Sequence, residues 1–473
     1  MSIAAAQLHS GLAALLEGDF GRGYRMARAE REPLQLAALR DRFAALRGSI
    51  GALGRLAEEQ GLADINRLED VVPLLFPHTV YKSYPLSFLE QGRFDRLTRW
   101  LDGLTTLDLS GFDSAGIDTI DDWVRRLDAQ TELAVIHTFG TSGKLSFLPR
   151  TKAHTPLAVA LNARAIRDFH GHGSGPDLLV ERRPMISPSY RLGASSIARG
   201  MARMAQDYAG GLDQALFLYP DAWFSADVAS LAGRIKVAEA RGEMGQLQIS
   251  PALLARRAEF AAREASRAED MDRFFAEASR RFAGQDVFLF AVWPILFEWA
   301  EEGLQRGLRG LFGPGSVLTT GGGSKGRVLP PDYKDQIFEF LGFERHFEFF
   351  GMSELMANAP RCEAGHFHFP PLVVPFVLDP ETGACLPRQG THTGRLALMD
   401  LVPESYWGGF VTGDEVTLSG CDDVPCACGR TGPRLHPEIR RFSEARGGDD
   451  KINCAGAPEA HDRAVDFLLE QAR

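Results

Sequence analysis

The run HTFGTSGKLSFLPRTK, from His137 to Lys152, gathers groups that bind anions. Thr138, Thr141 and Ser142 bring hydroxyls, and Gly140 and Gly143 allow positive φ and close backbone approach. Lys144 adds a charge, and two more basic residues, Arg150 and Lys152, close the run. Successive N–H groups in such a turn form a concavity suited to phosphate oxygens. The glycine spacing is not that of a GxxxxGK[ST] P-loop. Taken alone, the run reads equally well as a plain turn at a strand end. His137, where it starts, stands either against that loop or packed in a core.

Other segments carry reactive side chains at strand ends. FFGMSE ends on Glu354, TGD carries Asp414, and CGRTGPR carries Arg430. SVLTTGGGSKG is an apolar run that stops in Gly321, Gly322 and Gly323. Cys362 and His366 (C-x3-H) pair with Cys426 and Cys428 (C-x-C) as a set that closes a tetrahedral zinc site, structural because four protein ligands leave no open position. His368 competes with His366, and unligated cysteines in a compact subdomain are the alternative. Cys385 and Cys421 read as bystanders.

These residues need a frame. Hydrophobic residues make up 45% of the 473 and charged ones 24%, enough for a large core in two or three domains. A net charge of -10 argues against general nucleic-acid binding, which needs a basic face. No apolar run reaches the length of a membrane span, the N-terminus makes a poor secretory signal, and six Cys make no disulfide framework. A cytoplasmic setting is the expectation. Residues 10–70 show helical apolar spacing, and 250–283 a long helix with Ser250 as N-cap and Pro251 behind it. Phe76–Leu89 reads as an extended crossing segment. Strand-like runs fall at 133–140, 178–180, 286–294, 316–321 and 346–350, and short β runs dominate from Pro370 onward. The fold expected is α/β with an appended β subdomain. The divisions are an N-terminal helical region, 1–130, packed on the core; an α/β core, 131–358; a β-rich subdomain, 359–435; and a short C-terminal segment, 436–473.

Read together and in order, TFGTSGKLS, FFGMSE, GFVTGDEV and CGRTGPR resemble the motifs of the acyl-adenylate-forming superfamily, the acyl-CoA synthetases and adenylation domains. CEAGHFHFPPLVVPFVLDPETG, CACGRTGPRL and YKSYPLSFL are similar to its phenylacetate-CoA-ligase-like branch and, within that, to the acyl-protein synthetases that act as luciferin-component ligases. The first loop departs from the usual pattern: Phe139 replaces a small hydroxyl residue, Leu145 a proline and Ser146 a lysine. The resemblance implies an adenylate-forming N-domain with a β subdomain and a strongly reduced C-terminal cap, since 43 residues follow Arg430 (473 − 430). It implies ATP and Mg²⁺ as cofactors, with a carboxylic acid, fatty or aromatic, activated as acyl-AMP. Thr138, Gly140, Thr141, Ser142, Gly143 and Lys144 would hold the phosphates. Phe350 would pack on adenine within Phe350, Gly351, Met352 and Ser353, Glu354 would hold Mg²⁺, Asp414 the ribose, and Arg430 the ribose or phosphate. Gly321, Gly322 and Gly323 would wall the adenine and substrate. The acceptor would be an acyl carrier, a reductase partner, CoA or the chain's own Cys454, which also reads as a buried small hydrophobe. Lys451 stands either for the missing cap lysine or for a solvated surface group. DVFLFAVWPILFEW and SPSYRLGASSIARGM are either acyl-pocket walls or core. A CoA-forming ligase is one alternative, and a non-catalytic nucleotide-binding or assembly subunit that keeps the fold is another.

Overall fold

The computed structural model describes residues 9–138, 144–169, 175–321, 323, 328–442 and 463–468. Its centre is a six-stranded sheet. Ala215–Phe224, Met185–Gly193, Phe288–Phe290, Val317–Gly321 and His346–Phe350 lie side by side in that order, all parallel, and Ala359–Pro360 closes one edge antiparallel. The short middle strands read as unbroken apolar runs because both of their faces are covered. Helices Arg257–Phe282, Trp293–Gln305 and Tyr333–Leu341 cover one face, burying Phe274, Phe275, Trp299 and Phe340 against Leu289 and Leu318. Ser250 caps the short Pro251–Ala255 helix, accepting from the Leu253 N–H at 3.2 Å, as its spacing predicts.

A seven-stranded sheet forms the β subdomain. Phe367–His368, Arg434–Leu435, Gly409–Ser419, His392–Asp400 and Val373–Leu378 are antiparallel neighbours. Phe76–Pro77 and Arg440–Arg441 also pair along Gly409–Ser419. The N-terminal helix Arg28–Leu46 leans on this subdomain. Buried Gln35 donates to the Pro371 carbonyl at 2.9 Å, and buried Arg31 donates to those of Met26 and Cys421. Among the described residues, no helix is long and apolar enough to cross a membrane.

Two expected strands differ. Residues 178–180 form a turn, with Val180 77% exposed. The Asp177 side chain accepts from the Leu179 N–H, and its carbonyl accepts from Val180 and Glu181, so local Asp turn chemistry outcompetes the apolar pattern. The sheet strand starts later, at Met185. Among the described residues of the expected strand 133–140, only Ile136–His137 joins a ladder, antiparallel to Phe147–Leu148. The glycine-rich run therefore connects a two-stranded hairpin. Its base is closed by Thr138, whose N–H donates to the Ser146 carbonyl and whose hydroxyl accepts from the Ser146 N–H, both at 3.1 Å.

Candidate active site and a cysteine–histidine centre

A cavity of about 400 Å³ opens at the carboxyl ends of the parallel strands, where open α/β sheets place their ligands. Pro188 to Tyr190, Phe290 to Val292, Thr320 and Gly321, and Phe349 with Gly351 to Ser353 form its rim. Close packing of these strand ends explains the glycines. A Cβ on Gly351 would meet Asn358 Oδ1 at 2.2 Å, and one on Gly321 would meet the Phe349 carbonyl at 3.0 Å. Gly323 sits at φ +59 in open space. Phe350 is half-buried, its ring 6.3 Å from Phe367 and 6.5 Å from Phe369.

Glu354 follows directly and is half-buried. Three successive carbonyls around it are pinned. Arg150 donates to those of Ser353 (2.7 Å) and Leu355 (2.6 Å), and the Tyr406 hydroxyl donates to that of Glu354 at 3.3 Å. Burial pushes the Glu354 carboxyl above its ordinary value, against the pull of Arg441, Arg150 and Lys82. Asp414 is buried in Gly409–Ser419 opposite Arg441, whose Nε lies 3.0 Å from its carboxylate. Arg441 thus pairs with Asp414 and also draws the Glu354 carboxyl down, while Phe350, Glu354 and Asp414 are not among the residues that line the cavity.

His137 is 1% exposed and lines the cavity, and burial lowers it to about 4, so its imidazole is neutral near pH 7. Arg150, also on the cavity wall, keeps a buried Nε with no hydrogen-bond partner among the described residues.

Two expected phosphate contacts lie elsewhere. Lys144 donates to the Tyr84 carbonyl at 2.8 Å, its ammonium 5.6 Å from the Tyr84 ring centroid, and it does not line the cavity. Arg430 is 7% exposed and away from the cavity wall. Its guanidinium lies 4.0 Å over the Phe169 ring, 3.2 Å from Glu363, and donates to the Asp168 carbonyl at 2.8 Å. It clamps the end of the His154–Phe169 helix to the cysteine-bearing loop. Gly140, Thr141, Ser142, Gly143, Gly322, Lys451 and Cys454 lie outside the described residues.

The second centre joins Cys362, His368, Cys426 and Cys428, whose ligand atoms all lie within 4.8 Å of one another. His368 takes the place expected for His366. His368 is fully buried on a strand paired with Arg434–Leu435, whereas His366 sits in the preceding turn, half-buried against His436. The C-x3-H count found the turn but not which histidine the strand register turns inward. Sulfurs of Cys362 and Cys426 are 3.9 Å apart, and Cys428 Sγ is 3.5 Å from His368 Nε2. A tetrahedral zinc with bonds of about 2.3 Å to sulfur and about 2.0 Å to nitrogen separates its ligands by about 3.8 Å and about 3.5 Å. The spacing present fits that ion. Each loop turns on a left-handed glycine, Gly365 (φ +84) and Gly429 (φ +82), next to paired N–H···O bonds of 2.8 Å.

The fold is that of the adenylate-forming ligases: a parallel-sheet N-domain with its β subdomain. The backbone is similar to that of 2-hydroxyisobutyryl-CoA ligase. In the open form with 2-HIB-AMP and CoA, the match has a TM-score of 0.50 at 16% identity, covering 89% of this chain and 71% of that one. In the postadenylation form with 2-HIB-AMP, the TM-score is 0.51 at 15% identity, covering 90% and 71%. No family model and no curated protein matches the sequence.

Proposed function

We propose that the chain is an ATP-dependent ligase that activates a fatty or aromatic carboxylic acid as acyl-AMP and passes the acyl group to a thiol, on CoA, a carrier protein or its own Cys454. The observation that carries this reading is the cavity at the carboxyl ends of the parallel strands, walled by Gly321 and Gly351 to Ser353, with Glu354 next in the chain and Arg441, paired with Asp414, acting on its carboxyl. The 2-hydroxyisobutyryl-CoA ligase whose fold the chain shares is in complex with 2-HIB-AMP in both forms and with CoA in the open one, in keeping with that reading.

The chemistry follows from charge. A carboxylate is ionised at pH 7, so its attack on the α-phosphorus needs no base. The protein must align two anions and stabilise the charge passed to departing pyrophosphate. Arg150 brings positive charge to the cavity wall. Asp414 accepts from the ribose hydroxyls beside Arg441, and Phe350 packs on the adenine. Glu354 offers oxygen to Mg²⁺, which when bound offsets phosphate charge. The Cys362, His368, Cys426 and Cys428 set holds zinc as a staple and takes no part in the reaction.

The test is carboxylate-dependent exchange of pyrophosphate into ATP across fatty and aromatic acids, with Glu354→Gln as control. Exchange that needs both the acid and Glu354 supports the reading. Nucleotide binding with no exchange for any acid overturns it. Label from a radioactive acid, retained on the protein and absent in Cys454→Ala, distinguishes self-loading from release on CoA.

A further inference from the structure

The run from Asp400 to Tyr406 connects two strands of the β subdomain, yet its polar groups bond to other parts of the chain. Asp400 is fully buried at the end of the strand His392–Asp400. Its Oδ2 accepts from the Met356 N–H at 2.6 Å and from that of Ala357 at 3.4 Å, and its Oδ1 accepts from the Val402 N–H at 2.9 Å. Three backbone donors on one carboxylate favour its charged form. Burial still pushes the carboxyl up from its ordinary value, against those bonds and against Arg42. Arg42 comes from the N-terminal helix Arg28–Leu46 and donates to the Pro403 carbonyl, three residues beyond Asp400. The Ser405 hydroxyl donates to the Pro149 carbonyl, next to Arg150, and the Tyr406 hydroxyl donates to that of Glu354.

The backbone from Ser353 to Ala357 is thereby held through both kinds of polar group. Arg150 and Tyr406 hold its carbonyls, and Asp400 holds the N–H groups of Met356 and Ala357. Leu355 and Met356 line the cavity, and Glu354 stands directly before them. Both N–H groups belong to buried residues, so without the Asp400 acceptor they must find another partner or stay unpaired at a cost. The segment that carries Glu354 then moves.

We propose that Asp400 is a positioning residue for Glu354: it fixes the backbone that carries this carboxylate, and with Arg42 it ties that placement to the N-terminal helices. The inference rests on the ligase reading only for the Mg²⁺ role of Glu354.

The test uses the full chain and two variants. Asp400→Asn keeps the shape, removes the charge and turns one acceptor into a donor. Arg42→Gln keeps a donor for Pro403 and removes the cation, and it carries the test if the first variant does not fold. Amide hydrogen exchange over residues 352–358, whose sequence neither variant alters, should be at least about tenfold faster in Asp400→Asn, as expected when a charged hydrogen bond is lost. Peptides from Arg257–Phe282 should exchange as in the parent. ATP binding is then followed by calorimetry as Mg²⁺ is raised. The half-saturating Mg²⁺ should rise at least about tenfold, the usual effect of losing a group that orients a metal ligand, while ATP binding without Mg²⁺ is unchanged. Arg42→Gln should shift both readouts in the same direction by less. A purely structural role would lower the amount of folded protein and leave the Mg²⁺ dependence alone. Parent-like hydrogen exchange at 352–358, or faster exchange there with the parent's Mg²⁺ dependence, overturns the inference even if pyrophosphate exchange is robust. Both shifts, with no pyrophosphate exchange for any acid, uphold the inference and reject the acid-activating reading.

Discussion

Replacing Arg150 with lysine keeps a positive charge at the cavity wall but removes the planar terminal nitrogen whose two fixed N–H bonds reach two carbonyls. In the parent, one guanidinium nitrogen donates to Ser353 and Leu355 at 2.7 and 2.6 Å, on either side of Glu354. Hydrogen bonds from a charged donor contribute about 1.5–3 kcal/mol each. A flexible ammonium serves one such carbonyl well and the second poorly. The rim also admits water, which recovers part of the loss. A net cost of about 2 kcal/mol is therefore expected. If it falls on the positioning of Glu354, kcat/KM in pyrophosphate exchange drops about 30-fold, at about 1.4 kcal/mol per tenfold. If it falls on folding, the melting temperature drops by a few degrees. Exchange kinetics and a thermal melt on the same preparation distinguish the two. Tyr406→Phe, which frees only the Glu354 carbonyl, should give a smaller change in the same direction. An Arg150→Lys protein matching the parent in both assays would refute the claim that these pinned carbonyls set the position of Glu354.

The purified protein should hold about one zinc per chain; Cys428→Ser should lose it and melt several degrees lower, checked by metal analysis and thermal melts, whereas His366→Ala should keep it. Gly351→Ala places a methyl against Asn358 and should cost about 1–3 kcal/mol in denaturant unfolding, partly restored by adding Asn358→Ala. Burial holds His137 neutral down to about pH 4, while the unfolded chain protonates it near 6.5, so unfolding takes up a proton and stability falls as pH drops from about 6.5 to 4. The full loss is up to about 3 kcal/mol at about 1.4 kcal/mol per unit, and His137→Gln should flatten that limb of a pH–stability profile.

Much of the frame was legible because it is written locally. An apolar run stopped by glycine marks both Val317–Gly321 and His346–Phe350, and Glu354 stands a fixed few residues beyond the second. Ser250 with Pro251 announces its helix. The alternation of strands and helices before Gly351, and the β-rich remainder, match the two sheets. The misses depend on partners distant in sequence. Nothing near Lys144 signals that its ammonium reaches Tyr84, 60 residues earlier, and nothing near Arg430 signals Phe169 and Glu363. The choice of His368 over His366 rests on strand register against Arg434. Arg150 did close the anion-binding run, but its role emerges only once the hairpin brings it beside Ser353. Arg441 had no local signal beyond following Arg440, and it gains its place from pairing with Asp414.

Carboxylate-dependent exchange of labelled pyrophosphate into ATP, measured for the parent and for Glu354→Gln, tests the central claim most directly. Acid-stimulated exchange in the parent that falls at least about a hundredfold in the variant is the predicted result, of the size seen when one preorganised electrostatic group is lost. No acid-stimulated exchange in the parent, or equal exchange in both proteins, would contradict the account.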